Sequence, residues 1–182
     1  MKILARLTDK EYPYHGIRES RDIVRAMIMN EDGKFLFHHL IGDDVFGHRD
    51  YYETPGGGVE KGETLEEAIR RECLEETGYH IDIIAPIGEV IDYYNLIHRK
   101  NLNHYFLVKV KGARNPTHFV SKGDFWIQET VPFSLCEAER QYEAKAITPL
   151  ARLLLQREKP IIEETRKLLE SFLFLASSGK NH

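Results

Sequence analysis

Seven glutamates stand between residues 60 and 76 (Glu60, Glu63, Glu66, Glu67, Glu72, Glu75 and Glu76), against three cations, Lys61, Arg70 and Arg71. The 182-residue chain has 25 Lys and Arg and 29 Asp and Glu, a net charge of −4. Taking out those three cations and seven anions leaves 22 of each, so the whole excess lies in one stretch. Crowded carboxylates offer two kinds of chemistry. Their oxygens hold hard divalent cations such as Mg²⁺ or Mn²⁺, and one of them, set against a water, takes its proton. The ordinary fate of a Glu- and Arg-rich stretch is a solvated helix face, and spacing decides which glutamates escape it.

Residues 64–77 read TLEEAIRRECLEET. Thr64 with Glu67 three positions on is a capping-box pattern, which fixes the start of a helix over 64–77. At about 100° per residue, Leu65, Ala68, Ile69 and Cys73 share one apolar arc roughly 140° wide. Glu72 and Glu76 fall about 20° either side of Leu65, and Glu75 about 80° away. Glu66, Glu67 and Arg70 lie opposite, where Glu66–Arg70 and Glu67–Arg71 are expected as i, i+4 pairs. Glu66 and Glu67 therefore suit a solvated face, whereas Glu72 and Glu76 lie in the core-facing stripe. A buried carboxylate there costs several kcal/mol or takes up a proton. A divalent cation relieves the repulsion, and so does a helix end that emerges at the wet rim of a sheet.

The elements around this helix must position it. Pro55-Gly56-Gly57-Gly58, after an aromatic strand at Tyr51–Thr54, lets backbone approach a ligand without Cβ interference. Upstream, residues 1–8 read as an edge strand. Ile23–Met29 and Lys34–Leu40 read as a hairpin about Asn30-Glu31-Asp32-Gly33, and 41–50 as a loop. Downstream, Ile81–Ile91 and Leu102–Val110 are strand-like, and Phe125–Ile127 is expected as a short strand. Thr148-Pro149 opens a helix over Ala151–Gln156. A second helix is expected after Pro160, running to about Ala176. Its Ile161, Ile162, Leu168, Leu169, Phe172 and Leu173 are placed on one face that covers the sheet or pairs two copies as a homodimer. No repeat or linker divides residues 1–182, so one domain is expected.

Composition narrows the function classes. With 42% apolar and 30% charged residues the chain reads as a globular protein. No uncharged apolar run approaches the roughly 20 residues of a membrane span, and the charged first 25 residues carry no signal-peptide core. Two cysteines, Cys73 and Cys136, make no disulfide framework, so a reduced, cytoplasmic setting is expected. Balanced charge outside the glutamate stretch gives no basic excess for a nucleic-acid polymer. His38 and His39 must face opposite sides of a strand and cannot serve one ion together. Most of the nine histidines are read as surface or edge residues, and Cys73 as a core residue.

Residues 57–79, GGVEKGETLEEAIRRECLEETGY, resemble the Nudix box: Gly, five residues, Glu, seven residues, then Arg-Glu-aliphatic-any-Glu-Glu-any-Gly-aliphatic. Gly57, Glu63, Arg71, Glu72, Glu75, Glu76 and Gly78 stand at the required spacing, while Cys73 and Tyr79 replace aliphatic residues. The resemblance implies an α+β fold, an α/β/α sandwich around a mixed curved β-sheet, with 148–176 as a helical C-terminal extension. It implies a hydrolase that uses Mg²⁺ or Mn²⁺ to cut nucleoside diphosphates linked to another group, such as a nucleotide sugar, nucleoside triphosphate or dinucleoside polyphosphate. Glu72, Glu75 and Glu76, with the Gly56 carbonyl, would hold the metal. Arg71 would position a glutamate of the set, and Glu63 would assist near it. Glu72 would be the general base, with Glu129 or Asp124 in reserve. Tyr52, Glu53 and Gly57 would face the substrate, a small nucleotide. The alternative is a nucleotide-sensing module on the same fold without turnover.

Overall fold

The computed structural model describes residues 1–121 and 123–178. Seven strands and three helices follow in the order β1 (Ile3–Arg6), β2 (Glu19–Met29), β3 (Phe35–Asp44), β4 (Gly47–Glu53), α1 (Leu65–Thr77), β5 (His80–Tyr94), β6 (Arg99–Lys111), β7 (Ile127–Phe133), α2 (Leu135–Lys145) and α3 (Pro149–Ser178). The strands form one mixed sheet, β1-β5-β6-β2-β3-β4, with β7 on the far side of β3. β2 and β6 run parallel over eleven residue pairs, and β5–β6, β3–β4 and β3–β7 are antiparallel.

Both faces of the sheet are covered, as an apolar strand phase on each side requires. Val24, Ala26 and Ile28 pack with Ala68, Ile69 and Cys73 of α1. Met27, Phe37, Tyr105 and Leu107 pack with Leu135 and Tyr142 of α2 and with Ile161 and Ile162 of α3. This is the expected α+β sandwich of helix, curved mixed sheet and helix.

Four local expectations are corrected. The hairpin at 30–33 forms, but β2 and β3 pair only at its tip, Ile28–Leu36 and Met29–Phe35. Beyond that, Pro55–Val59 takes the place beside β2: Val24 and Ala26 donate to the carbonyls of Gly57 and Pro55 at 2.9 Å. Residues 41–50 are not a loop. They continue β3 into β4 through a turn where Asp44 accepts from the Phe46 amide at 2.9 Å and Gly47 takes φ +94°. Phe125 and Trp126 lie in a single 3₁₀ turn, and the strand follows it.

Finally, Pro160 does not divide the last helix, which runs unbroken through Pro149–Ser178. Proline removes one helical hydrogen bond, but Ile161 and Ile162 directly after it are wholly buried against the sheet. Leu168 and Leu169 join that contact, whereas Phe172 and Leu173 are exposed. α2 was not expected at all, although Ser134 and Glu137 repeat the capping box of Thr64 and Glu67.

Candidate active site

The capping box starts α1 as expected and Gly78, at φ +75°, ends it. Its register places Glu72 and Glu76 one turn apart and only 8% and 5% exposed, with Glu75 half-buried beside them. The predicted pairs Glu66–Arg70 and Glu67–Arg71 give way to other partners. Glu67 closes the cap on the Thr64 amide at 2.8 Å, and Arg70 donates to the Ile81 carbonyl at 2.6 Å.

Arg71 turns instead toward the acidic cluster. It grips Glu63 with two bonds of 2.8 and 2.9 Å, donates to Glu72 at 2.8 Å and Glu75 at 3.3 Å, and reaches the Gly58 carbonyl at 3.0 Å. One guanidinium thus holds three carboxylates and the Gly loop together. Arg71 holds the Glu63 carboxyl below its usual range. Glu72 goes the other way: burial, then the negative charge of Glu76, push its carboxyl up to about 7 despite Arg71.

The Gly loop closes on the same carboxylates. The Gly56 amide donates to Glu76 Oε2 at 2.7 Å. Gly56 has φ +142°, and a Cβ there would lie 2.1 Å from the Val24 carbonyl oxygen; one on Gly57 would lie 2.5 Å from Glu72 Oε1. Close approach of backbone requires glycine at 56, whereas a side chain at 57 would displace the Glu72 carboxylate. The Pro55 and Gly57 carbonyls are taken by β2, which leaves the Gly56 carbonyl outside that ladder.

His38, on β3, departs from the surface or edge placement expected of most histidines and is 2% exposed. Its Nε2 lies 3.2 Å from Glu76 Oε2 and its Nδ1 3.0 Å from the Thr130 hydroxyl. His38 shares its phase with Leu36 and Leu40, both buried, and that was the available signal. His39 does face the other way, toward Asp50 at 2.7 Å.

The remaining candidates divide. Glu53, paired with His38 across β3–β4, is held by Arg25 and Arg157 at 2.8 Å each. Burial pushes its carboxyl up, but the two guanidiniums outweigh that and hold it at about 2. It lines a cavity of about 120 Å³ together with His38, Thr54, Gly56, Glu76 and Asp124. Asp124 accepts from the Val120 and Ser121 amides at 2.9 and 2.7 Å, which pins its own loop. Glu129 pairs with His39, 3.5 Å away, and so turns from Glu76; its neighbour Thr130 is the residue facing the site. Tyr52 stacks on His39 at 4.7 Å, on the opposite side of β4 from Glu53. The structure therefore does not bring Tyr52 or Glu129 to the carboxylates.

Among the described residues no group of three or more His, Cys, Asp or Glu side chains is arranged to hold a metal ion. Glu72 and Glu75 lean on Arg71, and Glu76 on Gly56 and His38. What is present is a set of hard oxygen donors in which Glu72 and Glu76 repel each other. That donor set fits a divalent cation better than it fits being left bare.

Residues 19–161 match the family model of the NUDIX domain. An RNA pyrophosphohydrolase of Wolbachia pipientis subsp. Culex pipiens (strain wPip) is 38% identical over 80 residues, 43% of this chain and 46% of that protein. The RNA pyrophosphohydrolase of Helicobacter pylori (strain G27) is 34% identical over 109 residues, 54% of this chain and 68% of that one. The chain thus spans under half the length of the Wolbachia relative. A NUDIX hydrolase structure from Nitrosomonas europaea superposes with a TM-score of 0.61 at 25% identity, covering 81% of this chain and 88% of that one. The chain belongs to the NUDIX domain family.

Proposed function

We propose that this chain hydrolyses a pyrophosphate bond in a nucleoside diphosphate linked to another group, assisted by Mg²⁺ or Mn²⁺. The observation that carries the reading is the pairing of buried Glu72 and Glu76 on one turn of α1, tied by Arg71 and the Gly56 amide to the Gly loop. Glu72, Glu75, Glu76 and the Gly56 carbonyl are the groups that would hold the cation. Bound there, a divalent cation neutralises the diphosphate and lowers the pKa of the attacking water. Arg71 keeps Glu72 and Glu75 on that side and is itself fixed by Glu63. Glu72 takes the water's proton. His38 and the Gly56 amide fix the rotamer of Glu76. The Gly57 backbone and Glu53 border the path by which substrate enters.

The test is a panel of nucleoside triphosphates, nucleotide sugars, dinucleoside polyphosphates and a 5′-triphosphorylated oligonucleotide, the last because relatives are named RNA pyrophosphohydrolases. Each is incubated with Mg²⁺ or Mn²⁺ in ¹⁸O-water. Cleavage of a P–O–P bond, with ¹⁸O in one phosphate product and none after Glu72→Gln, is the expected result. Binding without turnover on every compound would favour a nucleotide sensor on the same fold.

A further inference from the structure

Among the described residues three histidines have a partner at each ring nitrogen. His39 lies between Asp50 at 2.7 Å and Glu129 at 3.5 Å, and His104 between Glu89 and Asp22, both at 3.0 Å. An ionised carboxylate only accepts, so those two rings face acceptors on both sides. His38 differs. Its Nε2 meets the Glu76 carboxylate, but its Nδ1 meets the hydroxyl of Thr130, a group that can donate.

That difference decides where the hydrogens go. Glu76 Oε2 accepts from the Gly56 amide at 2.7 Å and has room for a second donor, which places a hydrogen on His38 Nε2. A neutral imidazole has a single N–H, so Nδ1 is then a bare acceptor. The Thr130 hydroxyl, 3.0 Å away, supplies the hydrogen it needs. In the other tautomer Nδ1 would donate to Thr130, and the Nε2 lone pair would face the Glu76 oxygen from 3.2 Å. Two buried acceptors would meet with no hydrogen between them, which is costly. Strand pairing builds the favourable arrangement. Thr130 stands directly opposite His38 in the β3–β7 register, where side chains of one face meet.

We propose that Thr130 is a positioning residue for the cation site: its hydroxyl selects the Nε2–H tautomer of His38, which donates to Glu76 Oε2 and holds that oxygen together with the Gly56 amide. Glu76 Oε1 takes part in neither contact and is the oxygen left to meet a cation. The inference rests on the reading of Glu76 as a cation ligand. It goes beyond that reading by assigning part of the support to β7, outside both the acidic helix and the Gly loop.

Two measurements test it. In the metal-free wild type at pH 8, ¹⁵N spectra of the His38 ring should show a pyrrole-type Nε2 and a pyridine-type Nδ1. Mn²⁺ affinity, followed by electron paramagnetic resonance, should fall about three- to tenfold in Thr130→Val, the worth of one hydrogen bond. It should return in Thr130→Ser, which keeps the hydroxyl. In a His38→Ala background the same Thr130→Val change should have no further effect, because its influence runs through the imidazole. A pyridine-type Nε2, or hydrogens on both nitrogens, overturns the assignment, and this spectrum decides the matter if a variant fails to fold. Unchanged Mn²⁺ affinity in Thr130→Val also overturns it. So does a loss of equal size with and without His38, which would make the threonine a general structural residue of β7. Saturable Mn²⁺ binding by the wild type with any of those results leaves the cation site standing and removes Thr130 from it. A wild type that binds no Mn²⁺ sinks both.

Discussion

Glu72→Gln should stabilise the metal-free protein at alkaline pH while abolishing turnover. The Glu72 carboxyl is raised from 4.5 to about 7 by burial and by Glu76. A group raised in the folded state contributes stability that is fully present below its unfolded value, near 4.5, and is lost as pH rises through about 7. The difference amounts to about 3 kcal/mol between pH 4.5 and 8, or roughly 6–12 °C in Tm for a chain of this size. Glutamine keeps the acceptor that meets Arg71 Nη1 at 2.8 Å and imitates the protonated acid. Urea or thermal unfolding in EDTA at several pH values between 4.5 and 8.5 reads the effect. Wild type and variant should agree at the acid end, with the variant pulling ahead by about 3 kcal/mol at the alkaline end. Parallel curves, separated by the same amount at every pH, would refute the claim that Glu72 is held strained beside Glu76.

Three further outcomes follow from the same geometry. Removing the imidazole with His38→Ala frees Glu76 Oε2 on one side, and Mn²⁺ affinity measured by electron paramagnetic resonance should fall at least tenfold, with His38→Gln recovering part of it. Gly57→Ala pushes a Cβ to 2.5 Å from Glu72 Oε1, so kcat should drop by about a hundredfold or more with little change in circular dichroism. Arg157→Met strands Glu158, which is wholly buried, and should cost about 3–5 kcal/mol in urea unfolding, much of it restored by adding Glu158→Leu.

Legibility in the sequence followed how local each interaction is. Everything set by spacing within α1 could be read: the cap at Thr64, the inward phase of Glu72 and Glu76, the stop at Gly78. Arg71 was expected beside its glutamates, but which ones it grips depends on Glu63 in the preceding loop as much as on helical spacing. The Gly56–Glu76 and His38–Glu76 contacts join residues 20 and 38 positions apart, and no local pattern records them. Residues 41–50 read as a loop because Asp43, Asp44, His48 and Arg49 are polar, although they pair across β3 and β4. The reading of Pro160 as a helix end gave way to the burial of Ile161 and Ile162, a tertiary effect that overrides local propensity. Arg25 and Arg157 look unremarkable in sequence, because they come from β2 and α3 and meet only at Glu53.

Direct Mn²⁺ binding bears most closely on the central claim, that the glutamates of α1 form a cation site. Wild type, Glu72→Gln, and the double variant Glu75→Gln/Glu76→Gln would be titrated with Mn²⁺ at pH 8 and free ion followed by electron paramagnetic resonance. The account predicts saturable binding by the wild type, a large loss in Glu72→Gln, and near-complete loss in the double variant while the fold persists by circular dichroism. Equal binding by all three proteins would place any cation elsewhere and contradict it.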